Sequence, residues 1–170
     1  MTHKITMTLD RASIDTAIRE IEGYRKELER KVNALMERLV NHGVDVAKMF
    51  VRQMDANYTG YLESSIEGYY NPQLHAGWIM AGTPYAIYVE YGTGVVGEGT
   101  HAGVGSIDAM GAMSYTYDVN GHGEAGWNYY DPLTDHWWHT MGMAARPFMG
   151  MTATVLDKTC EQIASEVFGR

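Results

Sequence analysis

Late in the chain, His122-Gly123-Glu124 is followed by Asp135-His136 and His139, residue types that can hold a divalent ion and activate a water bound to it. His136 and His139 are three apart, so one turn of helix would bring them together, with Glu124 as a further ligand or a general base. The spacing matches neither His-Glu-x-x-His nor a paired-cysteine pattern. In a stretch rich in glycine and tryptophan, histidines usually serve as surface hydrogen-bonding groups. A metal-dependent hydrolase built on His122, Glu124, His136 and His139 is therefore an alternative, and the expectation is no metal, no cofactor and no catalysis.

Two other stretches invite a chemical reading. Gly92-Thr93-Gly94-Val95-Val96-Gly97 contains G-x-G-x-x-G, but it follows no buried strand of a βαβ unit, opens no helical stripe, and lies among acids that would repel a pyrophosphate. Glycine punctuation is the expectation there. Glu90 stands among Tyr85, Tyr88 and Tyr91, one carboxylate and three phenols with no nucleophile-and-base pair. Buried, it would be a base with a raised pKa; hydrogen-bonded to tyrosine hydroxyls or Arg146, it would be structural, which is the expected outcome. Trp127, Tyr129, Tyr130, Trp137 and Trp138 form an aromatic group suited to an interface, where a broad apolar face and a polar tip are both useful. Twelve methionines add adaptable contacts.

The elements that position these residues follow from periodicity. Residues 4–9 alternate like a short strand, the start of a strand or arm over 1–12. From Asp10 and Ser13, which offer N-cap oxygens, apolar residues recur at three- and four-residue steps through Met54, predicting a helix over 13–54. At 1.5 Å per residue it would be about 63 Å long, against about 40 Å for a globule of this size. It must bend near Gly23 or Gly43, with 28–54 packed on the core, or protrude as an arm that meets a neighbouring subunit. Residues 61–70 and 74–81 read as two strands joined at Asn71-Pro72-Gln73, with Leu62, Ser64, Ile66, Gly68, Tyr70, Trp78 and Met80 on one side. Together with the turn formers before them and a short helix at 85–91, opened by Pro84 at its first position and closed by Gly92, they fill 55–91.

Residues 92–145 hold 11 of the 19 glycines and most of the tryptophans. They predict an ordered, loop-rich insert with strands near 113–117 and 126–130. Pro147 opens a final helix within 146–170, with Phe148, Met151, Val155, Leu156, Ile163 and Val167 on its buried stripe. The whole reads as one α+β domain: a small antiparallel or mixed sheet packed by the two long helices, carrying a Gly/aromatic-rich loop excursion and no internal repeat.

Composition narrows the functional classes. The 170 residues carry a net charge of −8, unevenly spread: residues 53–145 hold ten acids and no Lys or Arg, while the flanks sum to about +2. That middle cannot grip phosphates, although it suits a surface past which DNA moves without sticking. No apolar run approaches the ~20 residues of a membrane helix. The first residues lack the apolar core of a signal peptide, and the single cysteine, Cys160, forbids an internal disulfide. Synthesis in a reducing cytoplasm is the expectation.

Residues 83–94, with Tyr85-Ala86-Ile87-Tyr88-Val89-Glu90-Tyr91-Gly92-Thr93 at their centre, continue through Gly97 and Thr100 to Gly126-Trp127 with Tyr129, and then to Gly142-Met143-Ala144-Ala145-Arg146-Pro147-Phe148-Met149. In order and spacing, with a helix before and a helix after, this resembles the neck and tail-completion family of long-tailed bacteriophages. The Pro-x-x-Thr-Gly-x-Leu turn of that family is represented by Asn57-Tyr58-Thr59-Gly60-Tyr61-Leu62, without its proline, and the basic residues common in the family's strands are absent. The resemblance implies a non-enzymatic virion protein of the head-to-tail joint, made in the host cytoplasm and assembling with itself as a ring of six or twelve between the connector or stopper and the tail tube. It implies that Tyr85, Tyr88, Tyr91 and Arg146 lock the sheet to the last helix and that the excursion reaches neighbouring subunits. Acidic residues would line a DNA passage without sequence-specific binding. A host-directed protein-binding module using the aromatic group is the other alternative.

Overall fold

A computed structural model describes residues 5–56, 58–101 and 115–169. The fold is α+β, with helix α1 (Arg11–Gln53), a helical turn α2 (Tyr61–Ser64), hairpin β1–β2 (Ile66–Asn71 and Ala76–Ala81) and short helices α3 (Ala86–Tyr91) and α4 (Gly94–Gly97). A second hairpin, β3–β4 (Trp127–Asp131 and His136–Thr140), and helix α5 (Phe148–Phe168) complete it. Each hairpin is its own two-stranded antiparallel sheet. No described helix is long and apolar enough to cross a membrane.

Asp10 starts α1 by accepting the Ser13 amide at 2.9 Å, as its short side chain at the N-cap predicts. Residues 5–9 form no strand, and the part of that expectation before Ile5 lies outside the described residues. The helix then runs 43 residues without interruption across both Gly23 and Gly43. Its apolar register continues through each glycine, and at about 1 kcal/mol apiece neither breaks it. Instead it protrudes: residues 18–30 are all exposed, and continuous packing begins at Lys31.

From there α5 lies antiparallel against α1. Lys31 Nζ stands 5.9 Å over the Phe168 ring, Arg38 pairs with Glu166 at 3.6 Å, and Phe50 shares a core with Phe148 at the other end. That core gathers Val46, Ala47, Phe50 and Val51 of α1 with Ala56, Leu62, Ile66, Ala86, Val89 and Phe148. Phe148 is fully buried, so the Arg-Pro-Phe step delivers a packing anchor.

The first hairpin rests on α1 through its small residues. A Cβ at Gly68 would stand 2.4 Å from Val40 Cγ1, and one at Gly77 would stand 2.4 Å from Val40 Cγ2, so both glycines are contact points for the helix. Tyr70 adds a hydrogen bond to Asn33 Oδ1 at 2.7 Å. Cross-strand partners Tyr69↔Trp78 and Glu67↔Met80 place Trp78 and Met80 on the outer face, opposite Gly68 and Tyr70, which corrects the shared side expected for them. The strand expected from Tyr61 begins only at Ile66. Gly60, at φ 79°, turns the chain into α2, and the Ser64 and Ser65 hydroxyls donate to Tyr61 O and Leu62 O, a local bonding that competes with strand pairing. Pro84 lies in the turn ahead of α3 rather than at its first position.

The second hairpin repeats the plan of the first at an offset of 60 residues, contrary to the absence of repeats expected from the sequence. Tyr69-Tyr70-Asn71-Pro72 corresponds to Tyr129-Tyr130-Asp131-Pro132, Trp78 to Trp138 and Gly82 to Gly142. Tyr129 faces Trp138 as Tyr69 faces Trp78. Both turns are closed by the residue before proline: Asn71 Oδ1 accepts from the Gln73 and Leu74 amides, and Asp131 Oδ1 from Leu133 N. Each turn ends on a residue with positive φ, His75 at 46° and Asp135 at 52°. Of the strand expected near 113–117, Met113 lies outside the described residues, while Tyr115 and Thr116 carry no strand and Tyr117 opens a turn.

Gly68→Ala is expected to lower unfolding stability by about 1–3 kcal/mol through overpacking, because Val40 is too stiff to swing clear. In urea denaturation the Gly68→Ala/Val40→Ala pair should be less destabilised than the sum of the single changes.

Candidate functional site

The motif that carries the family resemblance centres on a helix-capping contact. α5 begins after Pro147, which has no side-chain acceptor for the first amides of the helix. Glu90, 7% exposed on α3, fills that role from elsewhere in the chain: Oε2 accepts Met149 N at 2.8 Å and Oε1 accepts Gly150 N at 2.9 Å. A negative group there also complements the positive end of the helix dipole. Alongside, Arg146 N donates to Val89 O at 2.8 Å. The partners expected for Glu90, tyrosine hydroxyls or Arg146, are replaced by these two amides. His101 lies beside the pair, its Nε2 3.6 Å from Glu90 Oε1 and its ring stacked 4.6 Å from Tyr91. Burial pushes the Glu90 carboxyl above its ordinary range, while the two amides and His101 pull it back.

The phenols of the motif form contacts of their own. Tyr85 lies 6.3 Å from Tyr61, while Tyr88 and Tyr91 approach Tyr115 at 6.3 and 5.2 Å. Tyr115 donates to Gly92 O at 2.5 Å, and burial, with Tyr88 and Tyr117 nearby, pushes its hydroxyl up to about 12. The tyrosines thus tie α3 to the start of the excursion's return path, and the carboxylate between them ties α3 to α5.

The glycine pattern serves a chain crossing. Thr93 and Met143 pair as an isolated antiparallel bridge, with Thr93 N to Met143 O at 2.9 Å and Met143 N to Thr93 O at 3.0 Å. Gly94, at φ 61°, and Gly142, at φ 110°, flank it. Cβ atoms there would stand 2.3 Å from Met141 O and 1.8 Å from Thr93 O. Backbone therefore fills the space that a bound pyrophosphate would need, which removes the dinucleotide reading on geometric grounds.

Beyond the crossing, the second hairpin and the body enclose a groove of about 1000 Å³, lined among others by Tyr58, Tyr85, Trp127, Tyr129, Trp138 and Arg146. Asp131, 8% exposed, fixes the wall: Tyr58 Oη donates to its Oδ2 at 3.0 Å and Thr134 Oγ1 at 2.7 Å. These bonds, with that from Leu133 N, hold its carboxyl below the usual range. On the other face of the hairpin, the Tyr130 and Trp137 rings meet at a tilt of 52°, centroids 5.5 Å apart, and are 46% and 65% exposed. Neither Asp131 nor Tyr58 was singled out from sequence; the Asp-Pro step before a Trp-rich strand was the available signal.

The histidines do not converge. His136 and His139 lie on strand β4, where a three-residue step points to opposite faces. His136 meets the edge of Trp138 at 4.9 Å, and His139 Nε2 lies 2.9 Å from Ala125 O. His122 stands 3.4 Å from Asp118 and 5.3 Å from the Trp127 ring. Among the described residues no group of three His, Cys, Asp or Glu side chains is placed to hold a metal ion. What the region does present is broad aromatic surface around Arg146, suited to stacking and charge-assisted hydrogen bonding.

Replacing Glu90 with alanine strands two helix amides inside the fold and is expected to cost about 2–4 kcal/mol, whereas Gln, which keeps one acceptor, should cost less; chemical denaturation of both variants tests this. The folded chain holds the Tyr115 proton more tightly than the unfolded chain does. Stability from that group is complete below pH 10 and declines as pH rises through about 12, a decline that Tyr115→Phe should remove from the alkaline limb of the stability–pH curve. No family model, curated protein or solved structure matches the chain.

Proposed function

We propose that this chain is a structural protein of the phage virion, a neck, tail-completion or tail-terminator subunit that works by assembling into a ring of six or twelve copies between connector and tail tube. The observation that carries this reading is the placement of its exposed apolar side chains. Ile18 and Ile21 of the α1 arm are 49% and 55% exposed, and Trp137 and Trp138 of the second hairpin are 65% and 47% exposed. Both elements reach beyond the core that α1, α5 and the first hairpin share. Large residues gathered at such places serve contact between chains.

The motif residues support the reading in a mechanical sense. Glu90, Val89 and Arg146 join α3 to α5, so the excursion that leaves at Gly92 and returns at Ala145 starts and ends on a braced base. A ring must transmit load through such joints. The ten acids and absent bases of residues 53–145 suit a surface past which DNA slides, since repulsion prevents the phosphate contacts that would hold it. In this reading the protein is made in the host cytoplasm, makes or breaks no bond, and resides in the finished particle.

The aromatic groove supports a second reading, a host-directed binding module, because Trp127, Tyr129, Tyr85 and Arg146 could clasp a peptide. Sedimentation or native mass measurement of the full chain is expected to show an oligomer of six or twelve, and purified particles should contain the protein. A monomer at several hundred micromolar that is absent from particles, yet captures a host protein from lysate, overturns the first reading in favour of the second.

A further inference from the structure

Arg146 is a half-buried cation without a counterpart. Its amide is bonded to Val89 O at 2.8 Å, which fixes the residue at the joint between α3 and α5. Its guanidinium makes no hydrogen bond and no ion pair with any of the described residues. The side chain lines the groove of about 1000 Å³ between the second hairpin and the body, among aromatic rings. A charge taken partly out of water is ordinarily matched by an opposite one, and a guanidinium has five donors to satisfy. Here the chain supplies the cation and leaves its place opposite open.

The buried acid of the groove is already engaged. Asp131 accepts from Tyr58 Oη at 3.0 Å, Thr134 Oγ1 at 2.7 Å and Leu133 N at 3.0 Å. Thr134 Oγ1 in turn accepts from Trp138 Nε1 at 3.4 Å, so the same network sets both Tyr58 and Trp138 as walls. Rings held in this way lose little freedom when something lies against them. We infer that the groove binds a protein segment in which one carboxylate side chain stands beside an aromatic one. The carboxylate pairs with the Arg146 guanidinium, and the ring packs among Tyr58, Tyr85 and Trp138.

Charge and size favour this occupant over other anions. The planar donor fork of arginine matches the two oxygens of a carboxylate, and a single acid needs only this one cation. A nucleic-acid strand carries a charge on every unit and would face the ten acids of residues 53–145 with no Lys or Arg to receive it. The same field favours neutral or basic residues on either side of the acid, and exposed Asp55 lies on the groove to meet them. A volume of about 1000 Å³ is the upper end of the range for small-ligand pockets, about 300–1,000 Å³, and gives room for the residues that flank the acid. The proposal rests on the peptide-clasping reading of this groove, supplies its ligand chemistry, and does not depend on ring assembly.

The test selects a random heptapeptide library, displayed on yeast, against the full chain. Enriched peptides are then synthesised with the acid kept or changed to its amide, and their affinities are measured by fluorescence anisotropy. The expected result is enrichment of Asp or Glu next to Phe, Tyr or Trp, with the acidic form bound about tenfold more tightly than the amide form. Arg146→Gln should abolish that difference and Arg146→Lys should keep part of it. Trp138→Ala, which leaves the cation in place, should weaken both forms alike. Should Arg146→Gln fail to fold by circular dichroism, the comparison of acid and amide on the wild-type chain, together with Trp138→Ala, decides. Acid and amide forms bound equally by the wild-type chain, enrichment of peptides without an acid, or a preference that survives Arg146→Gln overturns the inference and leaves a peptide-clasping groove standing. No enrichment of any peptide removes both.

Discussion

The structure depends on one carboxylate holding two amides. Glu90 and the first turn of α5 are separated by almost sixty residues, and between them lies the entire Gly/aromatic-rich excursion. Without an internal acceptor, the first turn of a helix that starts after proline would need water, yet here that turn is seated on the core by Phe148, which is fully buried. A buried carboxylate can satisfy two of those donors at once, and they in turn satisfy it. Desolvation works against the charge and the amides work for it, so neither partner is comfortable alone. This reciprocity fixes α3 against α5, and α5 against α1 completes the frame.

Within that frame, position along the chain decides what can be exposed. The part of α1 that lies beside α5 and the first hairpin buries Val46, Ala47, Phe50 and Val51, whereas the arm has the same kind of apolar periodicity and leaves Ile18 and Ile21 49% and 55% exposed. The two hairpins show a similar contrast. They share a turn and a Tyr–Trp cross-strand pair, but one is glycine-lined and clasped by a helix while the other is ring-lined and open. A sequence in which the same devices occur once covered and once uncovered is consistent with self-assembly, and the proposed ring gives that consistency a physical form.

Much of the frame was legible in the sequence because its signals are local. The three- and four-residue steps that mark α1 and α5, the Asp10 cap and the stop at Gly92 each depend on residues within a turn or two of one another. Signals that depend on distant partners were not legible. Nothing near Glu90 announces Met149 and Gly150 as its donors, and tyrosines next door were the natural guess. The faces of Trp78 and Met80 are not legible in the sequence because the cross-strand register, set by the Asn71-Pro72 turn, decides side by single residues. β4 was missed because His136-Trp137-Trp138-His139 lacks alternation: both faces of that strand carry rings. The repeated hairpin is hard to read from sequence because little beyond the turn, the Tyr and Trp positions and the closing Gly82/Gly142 matches, while Gly68 and Gly77, which seat the first hairpin, are replaced in the second.

The bridge between Thr93 and Met143 has a consequence for how such a chain can vary. The excursion departs and comes home at one spot, with backbone against backbone at Gly94 and Gly142, so its ends are fixed to the helical frame independently of the far hairpin strung between them. Lengthening a closed loop twofold costs only about 0.6 kcal/mol in entropy. The β3–β4 hairpin can therefore be lengthened or reshaped while His101 and Tyr115, which touch α3, are kept, so that a chain with this frame can acquire a new neighbour without relearning how to fold.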